Sequence, residues 1–98
     1  MQAEALFNRR ISMSANAFAE LVAWAVPFPV SGSSHGYKYR LAFIVKGKCV
    51  LRYDNEAGKG DHIHREELET PYIFTGIDQL VADFLNDVKA WRNEHSDY

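Results

Sequence analysis

The chain has 98 residues, 47% apolar and 13% aromatic, which is one domain's worth of sequence with enough apolar side chains for a packed core, so disorder is excluded. Its single cysteine, Cys49, excludes an intrachain disulfide and fits a reducing compartment; set in the run Cys49-Val50-Leu51, it is expected to be a buried spectator. The net charge of −2 hides a division: residues 35–65 hold seven basic and three acidic side chains, whereas residues 66–98 hold two basic and eight acidic ones.

The first predicted element is a strand over Glu4–Met13, which contains Phe7 and Ile11. Ser14-Ala15-Asn16 is a turn, since Asn tolerates positive φ. Over Ala17–Val26 the alanines favour a helix, but Phe18, Val22, Trp24 and Val26 alternate as in a strand, and Pro27 ends the run. A strand is expected there. Pro27-Phe28-Pro29 then forces an extended exit, and Ser31-Gly32-Ser33-Ser34 is a flexible connection.

The strongest strand is Tyr37–Val45, with Tyr37, Tyr39, Leu41, Phe43 and Val45 on one face and Lys38, Arg40, Ala42 and Ile44 on the other. Lys46-Gly47-Lys48 reads as a three-residue turn into a partner strand over Cys49–Asn55. That register sets Val45 opposite Cys49, Phe43 opposite Leu51 and Leu41 opposite Tyr53. The other face then pairs Arg40 with Asp54 and Lys38 with Glu56. A two-residue turn would set Leu41 against Arg52 and spoil the apolar face.

A polar loop, Glu56–Asp61, follows, and a short extended piece is expected at Ile63 or at Tyr72-Ile73-Phe74. Ile77, Leu80, Val81, Phe84, Leu85, Val88 and Trp91 then recur at helical spacing, which predicts a helix over about 76–93. Thr75 and Asp78 suggest a capping box, and Lys89 and Arg92 suit the C-terminal dipole. Burying those seven side chains offers roughly 1.5–3 kcal/mol each before entropy. The tail from about 94 to 98 is expected to fray.

The expected fold is one α+β domain spanning residues 1–98. A four- to five-stranded antiparallel meander covers about 4–74, with the helix packed on one face. The N-terminus has no basic head before an apolar block, and the apolar run Ala17–Val30 is broken by Glu20 and two prolines. It falls short of the roughly 20 residues of a membrane span, so a cytoplasmic protein that binds no membrane is expected.

Asp61-His62-Ile63-His64 is the first candidate for chemistry. In an extended chain the two imidazoles point the same way, about 7 Å apart. They could act as acid and base, or chelate a metal with Asp61, or be incidental on a solvated loop. No CxxC or HExxH accompanies them. In Gly58-Lys59-Gly60 the glycines could turn backbone amides toward an anion, or form an ordinary turn; the spacing is not that of a P-loop. His35, Tyr37, Lys38, Tyr39 and Arg40 interleave aromatics with bases, as single-stranded RNA requires. Against this, Tyr37 and Tyr39 also suit the core, and Lys38 and Arg40 could merely pair with Glu56 and Asp54. The strand pairing would gather His35 and Lys38 near Asn55, Glu56, Lys59 and His62.

Three blocks, Gly32-Ser-Ser-His-Gly-Tyr-Lys-Tyr-Arg-Leu41, Tyr53-Asp-Asn-Glu-Ala-Gly-Lys-Gly-Asp-His-Ile-His64 and Pro71-Tyr-Ile-Phe with Leu80-Val-Ala-Asp-Phe-Leu-Asn-Asp-Val88, resemble the TumE family of bacterial toxin–antitoxin proteins. The resemblance runs from about Ala5 to Trp91. Ile63 departs from it, standing where a basic residue is expected. The resemblance implies a small toxin encoded beside an antitoxin that binds and silences it. The expected activity is RNA cleavage or RNA binding without metal or cofactor. His62, His64, His35 and Asp61 would be catalytic, and Lys38, Arg40, Lys59, Arg52 and Tyr37 would hold RNA. Asp54, Asn55, Glu56, Gly58 and Gly60 would support them. The alternatives are a non-catalytic protein-binding module, and a metal-dependent nuclease using Asp61, His62 and His64.

Overall fold

Alternation of apolar and polar side chains builds most of the molecule. The computed structural model describes residues 2–95. Six strands, β1 (Glu4–Ser14), β2 (Ala17–Ala25), β3 (Tyr37–Val45), β4 (Lys48–Asp54), β5 (His62–Arg65) and β6 (Leu68–Pro71), precede one helix, α1 (Ile77–Glu94). The strands pair antiparallel in sequence order, so the chain is the expected α+β meander, but with six strands rather than four to five. The added hairpin joins β5 to β6 through a turn in which Glu66 takes φ 56 without help from a glycine. No Gly or Asn marks that turn, and β6 has no apolar alternation. Tyr72-Ile73-Phe74 follows β6 outside the sheet.

The β3–β4 turn is shorter than expected. Lys46 (φ 51) and Gly47 (φ 78) form a two-residue turn with both residues at positive φ, whose twist matches the right-handed twist of the flanking strands. Val45 therefore faces Lys48, and Ile44 faces Cys49. A bulge at Val50 then restores the expected pairs Phe43–Leu51, Leu41–Tyr53 and Arg40–Asp54. The extra residue is what keeps Leu41 away from Arg52. Lys38 pairs across the ladder with Trp24, and Glu56 lies beyond β4, so the Lys38–Glu56 pairing does not form. Glu56 sits 3.7 Å from Lys59 instead. Cys49 lies half-buried on the uncovered face rather than in the core.

Helix α1 closes the other face. Leu80, Phe84 and Val88 are buried against Leu41, Phe43, Leu51 and Tyr53, with Ile77, Val81 and Trp91 half-buried beside them. Leu85 lies on the helix flank and is 37% exposed, so it does not join the core. Phe84 and Trp91 meet Tyr53 and Phe43 edge-on, with ring centres 5.7 and 5.5 Å apart. The Tyr53 hydroxyl donates to the Asp87 carboxylate, and the Tyr72 hydroxyl to Asp83 at 2.6 Å. Burial, and then these carboxylate partners, push both phenols well above their ordinary range. Arg65 joins Asp87 at 2.7 Å, so part of the acidic C-terminal third serves to anchor the helix.

The N-cap is Gly76, which makes no side-chain capping bond, so the expected Thr75–Asp78 box is absent; Thr75 stands one residue too early. At the other end the helix reaches Glu94, and His95 stacks on Trp91 with ring centres 4.0 Å apart. Residues 96–98 of the expected tail lie outside the described residues. Among the described residues no helix is long and apolar enough to cross a membrane.

The loops 31–36 and 55–61 cross at two glycines. Gly58 N–H donates to Ser31 C=O at 2.7 Å, and a Cβ on Gly32 would lie 2.7 Å from the Gly60 nitrogen. Gly32 (φ 94) and Gly47 (φ 78) both occupy the left-handed region, but space is open only around Gly47. Gly47→Ala should therefore cost about 1–2 kcal/mol, the penalty of the backbone conformation alone. Gly32→Ala should cost clearly more, because main chain must also move. Urea unfolding of both variants checks this, and equal losses would show that the crossing contributes nothing.

Candidate functional site

Asp61 and His62 are neighbours in sequence, and strand alternation sends them to opposite faces of the sheet. The expected gathering of acids, bases and imidazoles is accordingly split into two groups.

On the helix side, the Asp61 carboxylate accepts from the Ser33 hydroxyl at 2.6 Å and the Tyr39 hydroxyl at 2.7 Å. It also meets His35 Nε2 at 2.7 Å. Tyr37 N–H donates to His35 Nδ1 at 3.2 Å, so the ring hydrogen sits on Nε2 and is donated to Asp61. Phe74 stacks on the same imidazole at 3.8 Å. Asn55 is 1% exposed. Its Oδ1 accepts from Tyr39 N–H at 2.9 Å, and its Nδ2 donates to Tyr37 C=O at 2.6 Å and to Ser33 Oγ at 3.3 Å.

Burial by itself would raise the Asp61 pKa. The hydrogen bonds from Ser33, Tyr39 and His35 outweigh it and hold the carboxyl below its ordinary value. Burial and the bond to Asp61 move the Tyr39 phenol the opposite way. Both ring nitrogens of His35 are engaged, and Asp61 is saturated with donors. These two expected catalytic residues form a clamp that ties the 31–36 loop to the start of β5. Tyr37 lies half-buried beside Phe74, on the helix side and away from the uncovered face. The amides of Gly58 and Lys59 donate to Ser31 and Glu56 carbonyls, so this loop does not turn them toward an anion.

The second group lies on the face that no helix covers. The ladder sets His62 opposite Asp54, and His64 opposite Arg52 on one side and Glu69 on the other. His62 and His64 point the same way as expected, with ring centres 4.7 Å apart. Asp54, not Asp61, is the carboxylate beside them. His62 Nε2 lies 2.6 Å from Asp54 Oδ1, and Asp54 Oδ2 takes Arg52 Nε at 2.8 Å. The other ring nitrogen of His62, Nδ1, is 2.9 Å from Gly60 C=O. Glu69 reaches within 3.9 Å of His62 Nε2 and 3.8 Å of His64 Nε2.

Although these distances are short, Arg52 Nε, Asp54 Oδ1, His62 Nε2 and His64 Nε2 are shut from solvent without a well-directed hydrogen bond. One atom each from Asp54, His62 and His64 falls within 4.8 Å of the others. Burial, and then the nearby Arg52 cation, lower the His64 pKa below that of a free imidazole, favouring the neutral ring.

Lys38 and Arg40 are exposed on the same face, on β3. With Arg52, Asp54, Asn55 and Glu56 they line a shallow depression. The Arg40–Asp54 ladder pair forms, but the close side-chain neighbours of the Asp54 carboxylate are Arg52 and His62. Lys59 stands half-exposed at the rim, 3.7 Å from Glu56 and 4.0 Å from Glu69. Sequence reasoning misses Glu69, because its short edge strand carries no periodic signal.

The clamp makes a pH prediction. A carboxyl held below its unfolded value of about 3.9 stabilises the fold above that pH and loses the contribution as pH falls through the folded value. Asp61→Asn should cost about 1–3 kcal/mol near neutral pH. Its stability should also fall less steeply than the parent's below about pH 4. Urea unfolding across pH 3–7 checks both points, and parallel curves would rule out the clamp.

A family model described as Toxin TumE matches residues 3–92. No curated protein and no solved structure matches the chain.

Proposed function

The chain belongs to the TumE toxin family, and we propose that it is the toxin of a toxin–antitoxin pair and that it acts on RNA across the uncovered face of its sheet. The observation that carries this reading is the Asp54–His62–His64 group, whose buried nitrogen and oxygen atoms are left unsatisfied by the chain's own side chains. Buried polar atoms of that kind are costly unless something else meets them.

An RNA strand would lie over β3 and β4, where Lys38 and Arg40 extend into solvent and Arg52 lies beside Asp54. These three side chains would neutralise phosphates and steady the charge that develops as a phosphodiester is cleaved. The reactive atoms would be His62 Nε2, His64 Nε2 and the Asp54 carboxylate. Lys59, at the rim, would take a flanking phosphate. Family membership further implies a protein antitoxin, and a face bearing both signs of charge gives it a surface to complement.

Inducing the parent protein should arrest growth, and the purified protein should cleave RNA. The His62→Ala/His64→Ala double variant, confirmed as folded, should do neither. Lys38→Ala and Arg40→Ala should each weaken RNA binding. Each should also make log K less steep in log salt, by about 0.7 for every phosphate that the missing cation no longer neutralises. Full toxicity and full cleavage in the double histidine variant would overturn the site. Growth arrest with RNA left intact would overturn the RNA reading and favour occupation of a protein partner.

A further inference from the structure

We propose that Asp54, His62 and His64 together bind one divalent transition-metal ion of the zinc class on the uncovered face of the sheet. Among the described residues the acceptor beside His62 Nδ1 is the Gly60 carbonyl at 2.9 Å, so Nδ1 carries hydrogen and donates it. His62 Nε2 faces Asp54 Oδ1 at 2.6 Å without hydrogen-bond direction. Two ligand atoms shut from solvent in this way are suited to share a cation. His62 is 3% exposed, so water does not reach the contact.

The surroundings match what a metal site requires. A ligating imidazole commonly donates its other N–H to a backbone carbonyl, which fixes the tautomer, and Gly60 fills that role for His62. The Arg52 guanidinium forms an ion pair with Asp54 Oδ2, while Oδ1 faces the histidines. His64 Nε2 supplies the third atom, and all three fall within 4.8 Å of one another. The ligands stand on paired strands, two residues apart on β5 and directly opposite on β4, so the sheet itself sets their spacing.

Two imidazole nitrogens and one carboxylate oxygen suit zinc-like ions; calcium and magnesium prefer oxygen throughout. Three protein ligands leave a fourth position open. Glu69 is near enough to both imidazoles to occupy it or to yield it. In this proposal Asp54 stands where the sequence reading of a metal site places Asp61. Binding of the ion does not depend on the RNA reading. Its use in cleaving RNA does, as a Lewis acid at a phosphate oxygen.

The test titrates zinc, and separately cobalt(II), into tag-free full-length protein stripped with chelator. Calorimetry should find one ion per chain, and cobalt should give the intense visible bands of a low-coordinate site. His64→Ala removes a partly exposed ligand and should keep the fold. It should weaken binding by more than the about 10–100-fold that loss of an outer-shell partner costs. Asp78→Asn, an exposed carboxylate on the helix and away from this face, should bind as the parent does. Absence of stoichiometric binding, or equal affinity in His64→Ala, would overturn the site and leave His62–Asp54 as a protonated ion pair. RNA cleavage by metal-free protein would then leave the RNA reading standing. Tight, His64-dependent binding without cleavage would keep the metal site and remove that reading.

Discussion

The carboxylate of Asp61 holds the two halves of the molecule in register. It accepts hydrogen bonds from Ser33, His35 and Tyr39, which come from the 31–36 loop and from β3. Asn55 reinforces the same junction from the end of β4. A buried carboxylate is tolerated only when its charge is met by donors, so these residues act as a unit. Because Asp61 is held on the helix side, the next residue must emerge on the other side. The position of His62 beside Asp54 is a consequence of the clamp.

The sheet has one helix for two faces. Helix α1 takes the apolar face, and its acidic side chains hold Tyr53, Tyr72 and Arg65. The other face stays in contact with solvent, and its side chains carry charge across neighbouring strands. Arg40 and Arg52 on β3 and β4, Asp54 on β4, the histidines on β5 and Glu69 on β6 all belong to it. On the proposed reading, the ladder positions of this surface take an ion and its basic strip takes RNA. Lys38 and Arg40 lie toward the middle of the sheet and the histidines toward the β6 edge.

How far the residues announce this arrangement differs by element. The alternation in Tyr37–Val45 and the helical spacing of Leu80, Phe84 and Val88 are strong because each side chain is buried on one face only. The β5–β6 hairpin is weak because Leu68-Glu-Thr-Pro lies at an edge, with little to bury. The Lys46-Gly47 turn misleads for a different reason. Its bulge at Val50 adds one residue, so turn length and register cannot be read separately. The pairing of His62 and His64 on one side follows from local geometry, whereas Asp61 looks like their partner only because it stands next to them.

The residues alone thus specify the α+β class, the four long strands, the helix and the shared direction of His62 and His64. Each depends on a period of two or 3.6 residues, and a period is a local property of the chain. It took the assembled sheet to bring Asp54 and Glu69 to the histidines and to bring His35 and Asp61 together in a clamp. Those assignments depend on which strands are neighbours and on how far each is shifted. Ladder register is settled by the whole sheet, through the turn at Gly47, the bulge at Val50 and the loop crossing at Gly32 and Gly60.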